Sequence, residues 1–177
     1  MKIAVFCSSR TGNNKAYRYL ASALGAWLAK EGHTLVYGGE NYGLMAALAD
    51  AAAAGGGRLI GVVPRIDSMM ESVHPALSEC LYTRDMGERK GTMLALADAF
   101  IALPGGPGTL DELSEVLCQN RIGALHKPLV LLGTAGFYEP FRHLIARMRQ
   151  EEMIGEEEDS LLLITESFSE MEAFLSE

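Results

Sequence analysis

The feature of this sequence that most constrains its fold is the alternation of short β-rich segments with longer amphipathic ones. The predicted strands cover residues 3–7, 34–37, 59–63, 80–83, 100–103, 128–132 and 161–164. The predicted helices cover residues 16–28, 44–54, 88–97, 109–122, 141–150 and 168–175, whereas residues 65–78 fit neither pattern. Strands that alternate with helices of this length pair in parallel, with right-handed crossovers. The sequence therefore predicts an α/β fold: a doubly wound, mostly parallel sheet of about seven strands with helices on both faces.

Composition indicates one ordinary globular domain. The chain has 177 residues, of which 49% are hydrophobic and 21% charged, and these values are typical of such domains. No repeat, linker or low-complexity segment divides the sequence, so residues 1–177 are predicted to form a single domain. The acidic segment 151–159 is interpreted as a solvated connection between the predicted helix 141–150 and the last strand.

The charge of the chain excludes two classes of partner. The formal net charge is -8, from 15 basic and 23 acidic side chains. Nucleic acid polymers and anionic membranes require clustered lysines and arginines, so neither is expected as the main partner. No apolar run approaches the ~20 residues that span a bilayer. A small anionic ligand remains compatible with this charge, provided that a few positive groups line its pocket.

The cysteines and histidines indicate a reduced protein without a metal site. The three cysteines are widely spaced and odd in number, which supports neither a disulfide framework nor a zinc knuckle. The four histidines have no ligand spacing and are interpreted as surface or loop residues. A cytoplasmic protein that binds no metal is therefore expected.

The sharpest local signal is the glycine-rich segment after the fifth predicted strand, residues 103–112. In doubly wound sheets, ligands bind outside the carboxyl ends of the strands. Unpaired backbone N–H groups at the start of a helix, together with the helix dipole, favour a phosphate there. Gly105, Gly106 and Gly108 would let the anion approach closely, and Thr109 could add a hydroxyl. The segment is not a dinucleotide fingerprint, because Asp111 stands where the third glycine is needed.

The same segment has a purely structural interpretation. Residues 109–112 fit a capping box, in which Thr109 caps the helix and Glu112 only satisfies backbone donors. Two acids in a first helical turn would also oppose a nearby phosphate. The local sequence supports the phosphate site and the capping box equally.

A basic pair lies upstream of the glycine-rich segment. Arg89 and Lys90 are predicted to open the helix 88–97, where positive charge opposes the helix dipole. A compensating anion, either a phosphate or Glu112, would explain their position. The alternative is a surface charge cluster. Ser9 and Gly39, which follow the first two strands, are further candidates for ligand binding, although tight turns would explain these segments equally well.

Together these segments resemble the "Lonely guy" family, phosphoribohydrolases of cytokinin nucleoside monophosphates that are often misnamed lysine decarboxylases. The family pattern Pro-Gly-Gly-x-Gly-Thr-x-x-Glu is matched at residues 104–112, with Glu-Arg-Lys at residues 88–90. Further blocks agree after the first and second strands and at residues 61–64, so the resemblance covers nearly the whole chain. It implies a Rossmann-like fold and a homodimer with its sites near the interface. It also implies that an AMP-like nucleotide is cleaved, without a cofactor, to free base and ribose 5-phosphate.

The resemblance also implies roles for individual residues. Glu112 and Arg89 correspond to the catalytic pair. The 5′-phosphate would be held by Gly105, Gly106, Gly108 and Thr109, with Lys90 nearby. Glu71 lies where the family places an acid that faces the base, contributed across the dimer.

The sequence departs from the family pattern at three positions. Gly87 replaces a histidine, Pro107 occupies a position that is usually aromatic, and Glu40 replaces a third glycine after Tyr37. The last change adds a carboxylate near the expected crevice. These departures bear on base specificity more than on phosphate binding.

The implied residues suit the implied chemistry. Loss of the base leaves positive charge on the ribose, which a carboxylate stabilises or attacks at C1′. Arg89 would keep Glu112 ionised and oriented, whereas no proton donor for the base is identified. The alternative is a non-catalytic carrier of a nucleotide or of the molybdenum cofactor, which would not need Arg89 and Glu112 together. Lysine decarboxylation requires a Schiff-base lysine in a pyridoxal site, and no lysine lies in a recognisable one.

Overall fold

The computed structural model of the chain describes residues 1–155 and 160–176. Its strands are β1 (Lys2–Phe6), β2 (Thr34–Tyr37), β3 (Arg58–Pro64), β4 (Glu79–Thr83), β5 (Ala99–Ala102), β6 (Leu129–Leu132) and β7 (Leu162–Thr165). Its helices are α1 (Lys15–Lys30), α2 (Gly43–Ala54), α3 (Asp67–Met70), α4 (Met86–Leu96), α5 (Pro107–Arg121), α6 (Glu139–Gln150) and α7 (Phe168–Leu175).

The strands form one sheet in the order β4-β3-β2-β1-β5-β6-β7, and every neighbouring pair is parallel. The predicted α/β fold is thus confirmed as a Rossmann-like sheet, with the correction that it is wholly rather than mostly parallel. Strand order reverses at β1, which pairs with β2 on one side and β5 on the other. The loops after β1 and β5 therefore diverge over opposite faces and leave a crevice between them.

The two faces of the sheet are covered by different helices. One core joins Ile3 and Val5 of β1 to buried side chains of α1, α2 and α7. The other joins Ala4 and Phe6 to buried side chains of α4 and α5. This alternation along β1 is what a strand buried on both faces requires. None of the helices in the described part of the chain is both long enough and apolar enough to span a bilayer.

The structure corrects several details of the prediction. Most strands and helices differ from their predicted bounds by one or two residues at an end. The segment 65–78, which matches neither pattern, contains the one-turn helix α3, too short to show a periodic stripe. Residues 156–159 of the predicted acidic connection lie outside the described residues.

His74 lies in the loop between α3 and β4, within the prediction of a surface or loop residue, but its side chain is buried. His74 is only 3% exposed, and its Nε2 lies 3.1 Å from Asp50 Oδ1 of α2. A lone histidine carries no periodic signal, so its burial depends on packing that the sequence does not display. His126 and His143 are exposed as expected, and His33 is half-buried.

Candidate functional site

The helix after the glycine-rich segment begins earlier than predicted. Gly106 is the N-cap of α5 and Pro107 its first residue, and the first intrahelical bond runs from Leu110 N to Gly106 O at 3.0 Å. Thr109 is therefore the third residue of the helix, and the capping-box interpretation is wrong. Asp111 lies beyond the first turn, as does Glu112, so no acid occupies the first turn of α5.

The start of α5 presents backbone donors at the crevice. The first N–H groups of a helix have no intrahelical acceptor. Pro107 has no N–H group at all, so Gly108 and Thr109 supply the free amides of this turn. A Cβ on Gly105 would lie 2.1 Å from Thr109 Oγ1, so glycine is needed there for the hydroxyl to pack against the loop. Gly106 and Gly108 face open space. The turn therefore combines donors, the positive helix end and room for an anion.

The basic pair belongs to a helix that also begins earlier than predicted. Asp85 caps α4, accepting a hydrogen bond from Glu88 N at 2.8 Å, and Met86 is its first residue. Arg89 and Lys90 are consequently the fourth and fifth residues of α4 rather than its opening residues. The expected opposition to the helix dipole is weak there, because the dipole acts mainly within the first turn.

Arg89 joins three elements beneath the crevice. Its side chain is buried, its Nε donates to Val62 O of β3 at 3.1 Å, and its Nη1 donates to Glu112 Oε1 of α5 at 2.7 Å. A Cβ on Gly38 would lie 2.3 Å from Arg89 Nη2. The glycine after β2 therefore leaves the space that the guanidinium occupies. Gly38 was not among the predicted site residues, since a tight turn explained it equally well.

Glu112 is a buried carboxyl with one cationic partner. Its residue is 8% exposed, and burial raises its pKa, an effect that the charge and hydrogen bond of Arg89 only partly offset. Arg89 thus acts in the expected direction, but burial is the larger effect. A carboxylate held in such a site gains more from a developing positive charge than it would in water. It is also not folded back onto its own helix, as a cap would be.

Lys90 points to a different part of the surface from Arg89. Its Nζ lies 2.9 Å from Asp111 Oδ2 and 3.6 Å from Glu115 Oε2, contacts that raise its pKa. It lines a groove of about 820 Å³ between α4 and the segment after α5, together with Gln119 and Lys127. The structure therefore pairs Lys90 with acids at the rim and does not place it against the glycine-rich loop.

The remaining predicted binding residues, Ser9, Gly39 and Glu71, lie in three different segments of the chain. Ser9 is exposed in the loop after β1, and its backbone approaches Gly43 so closely that a Cβ there would lie 2.3 Å from Ser9 C. Gly39 is buried with a positive φ of 79°, a conformation that favours glycine. Glu71 is exposed at the end of α3.

Sequence reasoning named Glu40 only as a departure, yet the structure brings it to the crevice. It is half-buried, and burial raises its pKa, while the charge of Arg89 and a hydrogen bond with Ser72 partly offset this. Cys7 lies buried nearby, where burial and the charge of Glu112 raise the pKa of its thiol. A charged residue in a glycine-rich turn after a buried strand was the available signal for Glu40.

An apolar cavity of about 500 Å³ adjoins the glycine-rich loop between α5 and α6. Its wall includes Gly105, Gly106 and Pro107 of the loop and the side chains of Leu110, Phe137, Phe141 and Leu144. Neither Arg89 nor Glu112 lines it. In residues 1–155 and 160–176, no group of three or more His, Cys, Asp or Glu side chains is placed to hold a metal ion.

Known proteins share both the sequence and the fold. Residues 45–174 match the model of a family described as "possible lysine decarboxylase". A cytokinin riboside 5′-monophosphate phosphoribohydrolase of Rhodococcoides fascians is 40% identical over 153 residues, which are 86% of this chain and 77% of that protein. A rice protein of the same description is 38% identical over 176 residues, 99% of this chain and 73% of that protein.

Among solved structures, the molybdenum cofactor binding protein of Rippkaea orientalis has a similar fold. The TM-score is 0.73, and the match covers 99% of this chain and 95% of that one, with 22% sequence identity. At that identity the likeness establishes the fold alone.

Proposed function

Because this chain belongs to the Lonely guy family, which includes cytokinin riboside 5′-monophosphate phosphoribohydrolases, we propose that it hydrolyses the N-glycosidic bond of a nucleoside 5′-monophosphate. Its substrate is AMP or a cytokinin riboside monophosphate, and its products are the free base and ribose 5-phosphate. The observation that carries this proposal is the buried contact of 2.7 Å between Arg89 Nη1 and Glu112 Oε1, one turn from a free helix N-terminus.

The phosphate is proposed to bind at the start of α5. The amides of Gly108 and Thr109 point outward from the positive end of the helix, and Gly105 and Gly106 let a tetrahedral anion approach. Asp111 is engaged with Lys90 at 2.9 Å. The acid closest to the phosphate in sequence is therefore neutralised by a cation at the rim.

The pentose is proposed to face Glu112. As the base departs, the ribose ring takes on positive charge, and a desolvated carboxylate stabilises that charge without having to reorganise. Arg89 acts as a positioning residue, because it holds one carboxylate oxygen while Val62 O fixes the guanidinium. Ser9, Gly39 and Glu71 remain candidates for contacts to the sugar and base.

The carrier alternative is not favoured. The molybdenum cofactor binding protein of Rippkaea orientalis shares 22% identity with this chain, whereas relatives at 38–40% identity are named as phosphoribohydrolases. A carrier also has no chemical need for a buried acid and cation beside its phosphate site.

Assembly and cellular location are further proposals. We expect a homodimer, in which the exposed Glu71 of one protomer reaches the crevice of its partner, and light scattering should then give twice the mass of one chain. The free thiols of Cys7, Cys80 and Cys118 support a reducing, cytoplasmic compartment. A role in cytokinin biosynthesis follows if cytokinin riboside monophosphates are cleaved in preference to AMP.

The direct test is to incubate the purified protein with AMP and follow the release of adenine. We expect adenine and ribose 5-phosphate in equal amounts, much slower release from adenosine, and inhibition by ribose 5-phosphate. The panel should include the other nucleoside monophosphates and a cytokinin riboside monophosphate. If the folded protein releases no base from any of them, the proposed function is wrong.

The phosphate site is tested by replacing one glycine. Gly108 and Gly91 are both helical and both face open space, so alanine fits at either position and should stabilise the folded protein by up to about 1 kcal/mol. Only Gly108→Ala should also raise KM for AMP, by about tenfold, because its methyl group occupies the space assigned to the phosphate. Equal KM values for Gly108→Ala and Gly91→Ala would argue against this phosphate site.

A further inference from the structure

The peptide bond that leads into the glycine-rich loop joins Leu103 to Pro104, and it has a single hydrogen-bonding group. Proline has no N–H group, so the Leu103 carbonyl is all that this bond can offer. Leu103 follows Ala102, the last paired residue of β5, and is wholly buried. Its amide still donates to Phe6 O of β1 at 2.9 Å. A buried carbonyl without a partner is costly, so it needs a donor from another segment.

Tyr138 supplies that donor. Its side chain is buried, and its hydroxyl donates to Leu103 O at 2.7 Å. Tyr138 lies between β6 and α6, so the bond joins the loop to the segment after the neighbouring strand. Its ring is held on two sides. The Phe137 ring packs edge-on with 5.1 Å between centroids, and a Cβ on Gly133 would lie 3.3 Å from Tyr138 Cδ2. The hydroxyl is therefore fixed in position.

The glycine-rich loop has little other support on this side. Tyr138 lines the apolar cavity of about 500 Å³ together with Gly105, Gly106 and Thr109. A loop that borders a cavity lacks packing contacts there, so its position depends more on its hydrogen bonds. Gly105 in turn packs so closely against Thr109 Oγ1 that no Cβ would fit between them. The Tyr138 bond thus lies two residues before the contact between the loop and Thr109.

This contact concerns the donors that the proposed function assigns to the phosphate, since Thr109 supplies one of the two free amides of α5. Hydrogen bonds weaken steeply as their angle departs from linear. Groups that bind a ligand must also be held within about 0.5 Å of their productive positions. A change in the path of the loop after Leu103 is therefore expected to weaken phosphate binding.

We propose that Tyr138 is a positioning residue for the phosphate: its hydroxyl holds the glycine-rich loop in the conformation that binds the 5′-phosphate. This inference rests on the phosphate site of the proposed function. The hydroxyl does not touch the substrate but acts through the carbonyl of Leu103. Its removal should weaken the binding of ligands that carry the phosphate and should leave the binding of the free base unchanged.

The test is Tyr138→Phe, which keeps the ring and removes the hydroxyl. Calorimetry measures the binding of the two products, ribose 5-phosphate and adenine, without depending on turnover. We expect Kd for ribose 5-phosphate to rise about fivefold to tenfold and Kd for adenine to stay within about twofold of wild type. KM for AMP should rise by a similar factor, with kcat within about threefold. A purely structural role would lower the melting temperature without changing the ratio of the two Kd values.

Tyr37→Phe is the matched control. Tyr37 is the last residue of β2 and is wholly buried, but its hydroxyl has no hydrogen-bond partner among the described residues. Its side chain packs in the core that joins β1 to α1, α2 and α7. The same chemical change therefore removes no hydrogen bond here, and both Kd values should stay within about twofold of wild type.

The outcomes separate Tyr138 from the proposed function. Wild-type affinity for ribose 5-phosphate in folded Tyr138→Phe, or an equal loss in Tyr37→Phe, overturns the role of Tyr138 alone. Wild-type protein that binds ribose 5-phosphate but cleaves no nucleotide overturns the proposed function, and the two variants still decide the role of Tyr138. Wild-type protein that does not bind ribose 5-phosphate overturns the phosphate site and this inference with it.

A second variant applies if Tyr138→Phe does not fold. Gly133→Ala keeps the hydroxyl, but its methyl group moves the Tyr138 ring by a few tenths of an ångström. We expect Kd for ribose 5-phosphate to rise about twofold to threefold, with Kd for adenine unchanged. An unchanged Kd for ribose 5-phosphate would overturn the role of Tyr138.

Discussion

Two ion pairs join α4 to α5. They are formed by adjacent residues in the sequence, but they differ in how far their side chains are exposed to water. Arg89 of α4 meets Glu112 of α5, and the next residue, Lys90, meets Asp111, the residue before Glu112. The side chains of the first pair are 6% and 10% exposed, whereas those of the second are 19% and 58% exposed. Both side chains of the inner pair are almost wholly removed from water, whereas Asp111 of the outer pair stays more than half exposed.

The difference shows what burial adds to an ion pair. An exposed pair gains little, because water screens it and two flexible side chains must be ordered. A buried pair loses hydration energy, and each charge then depends on its partner. The raised pKa of Glu112 records that cost. Such a destabilised carboxylate is what an oxocarbenium-like transition state can use, so the inner pair suits catalysis and the outer pair suits surface structure.

The largest expected effect is the loss of stability in Arg89→Met. This change leaves Glu112 buried without its cation and removes the donor to Val62 O, so the free energy of unfolding should fall by about 3–5 kcal/mol. Lys90→Met should cost at most about 1 kcal/mol. Urea unfolding measures both. Adding Glu112→Leu to Arg89→Met should recover much of the loss, and equal costs for the two single variants would show that burial does not distinguish the pairs.

The next effect is on turnover. Glu112→Gln keeps the shape of the side chain but removes the charge that meets the ribose, so kcat for AMP should fall about 100- to 1000-fold. Asp111→Asn, the matched change in the outer pair, should leave kcat within about threefold of wild type, since Asp111 contacts Lys90 at the rim. Steady-state release of adenine measures both variants. A similar loss of kcat in the two would assign no special role to the inner acid.

The smallest expected effect concerns how stability changes with pH. Because burial raises the pKa of Glu112 above its ordinary 4.5, the free energy of unfolding should fall as pH rises from that value through the raised pKa. Glu112→Gln should reduce this fall, and Glu40 should account for part of what remains. The hydrogen bond with Asp111 raises the pKa of Lys90. The stability that this ion pair contributes is therefore fully present below pH 10.5 and is lost as pH rises through the raised pKa.

These two pH ranges give the pairs separate signatures. In urea unfolding series, Glu112→Gln should differ from wild type in the acidic to neutral range, and Asp111→Asn in the alkaline range. Parallel curves for wild type and Glu112→Gln would mean that the carboxyl of Glu112 is not desolvated.

The sequence predicts the fold well because periodicity is set by burial, residue by residue. Residues 16–28 repeat their apolar side chains at helical spacing, and α1 forms there. The one-turn helix α3 shows no such pattern and was missed. The start of α5 was placed too late, although proline is favoured at the first position of a helix and Pro107 occupies it. The threonine and glutamate of the motif suggested a cap in its place.

The site is less predictable, because it is assembled from distant segments. Local sequence could not show that Arg89 reaches Val62 O on β3, or that Gly38 leaves room for it. Nor could it show that Lys90, one residue along the helix, faces the rim. The family resemblance predicts that Arg89 and Glu112 act together. Their burial, which raises the pKa of Glu112, depends on three-dimensional packing and could not be predicted from local sequence.

The most direct measurement of the central claim is the binding of AMP to Glu112→Gln by calorimetry, with adenosine as the comparison. If the helix amides hold the phosphate and Glu112 acts only on the pentose, this variant binds AMP with the affinity of the wild-type site, binds adenosine far more weakly, and leaves AMP uncleaved. A folded Glu112→Gln protein that cleaves AMP at the wild-type rate, or that no longer binds it, would contradict the account.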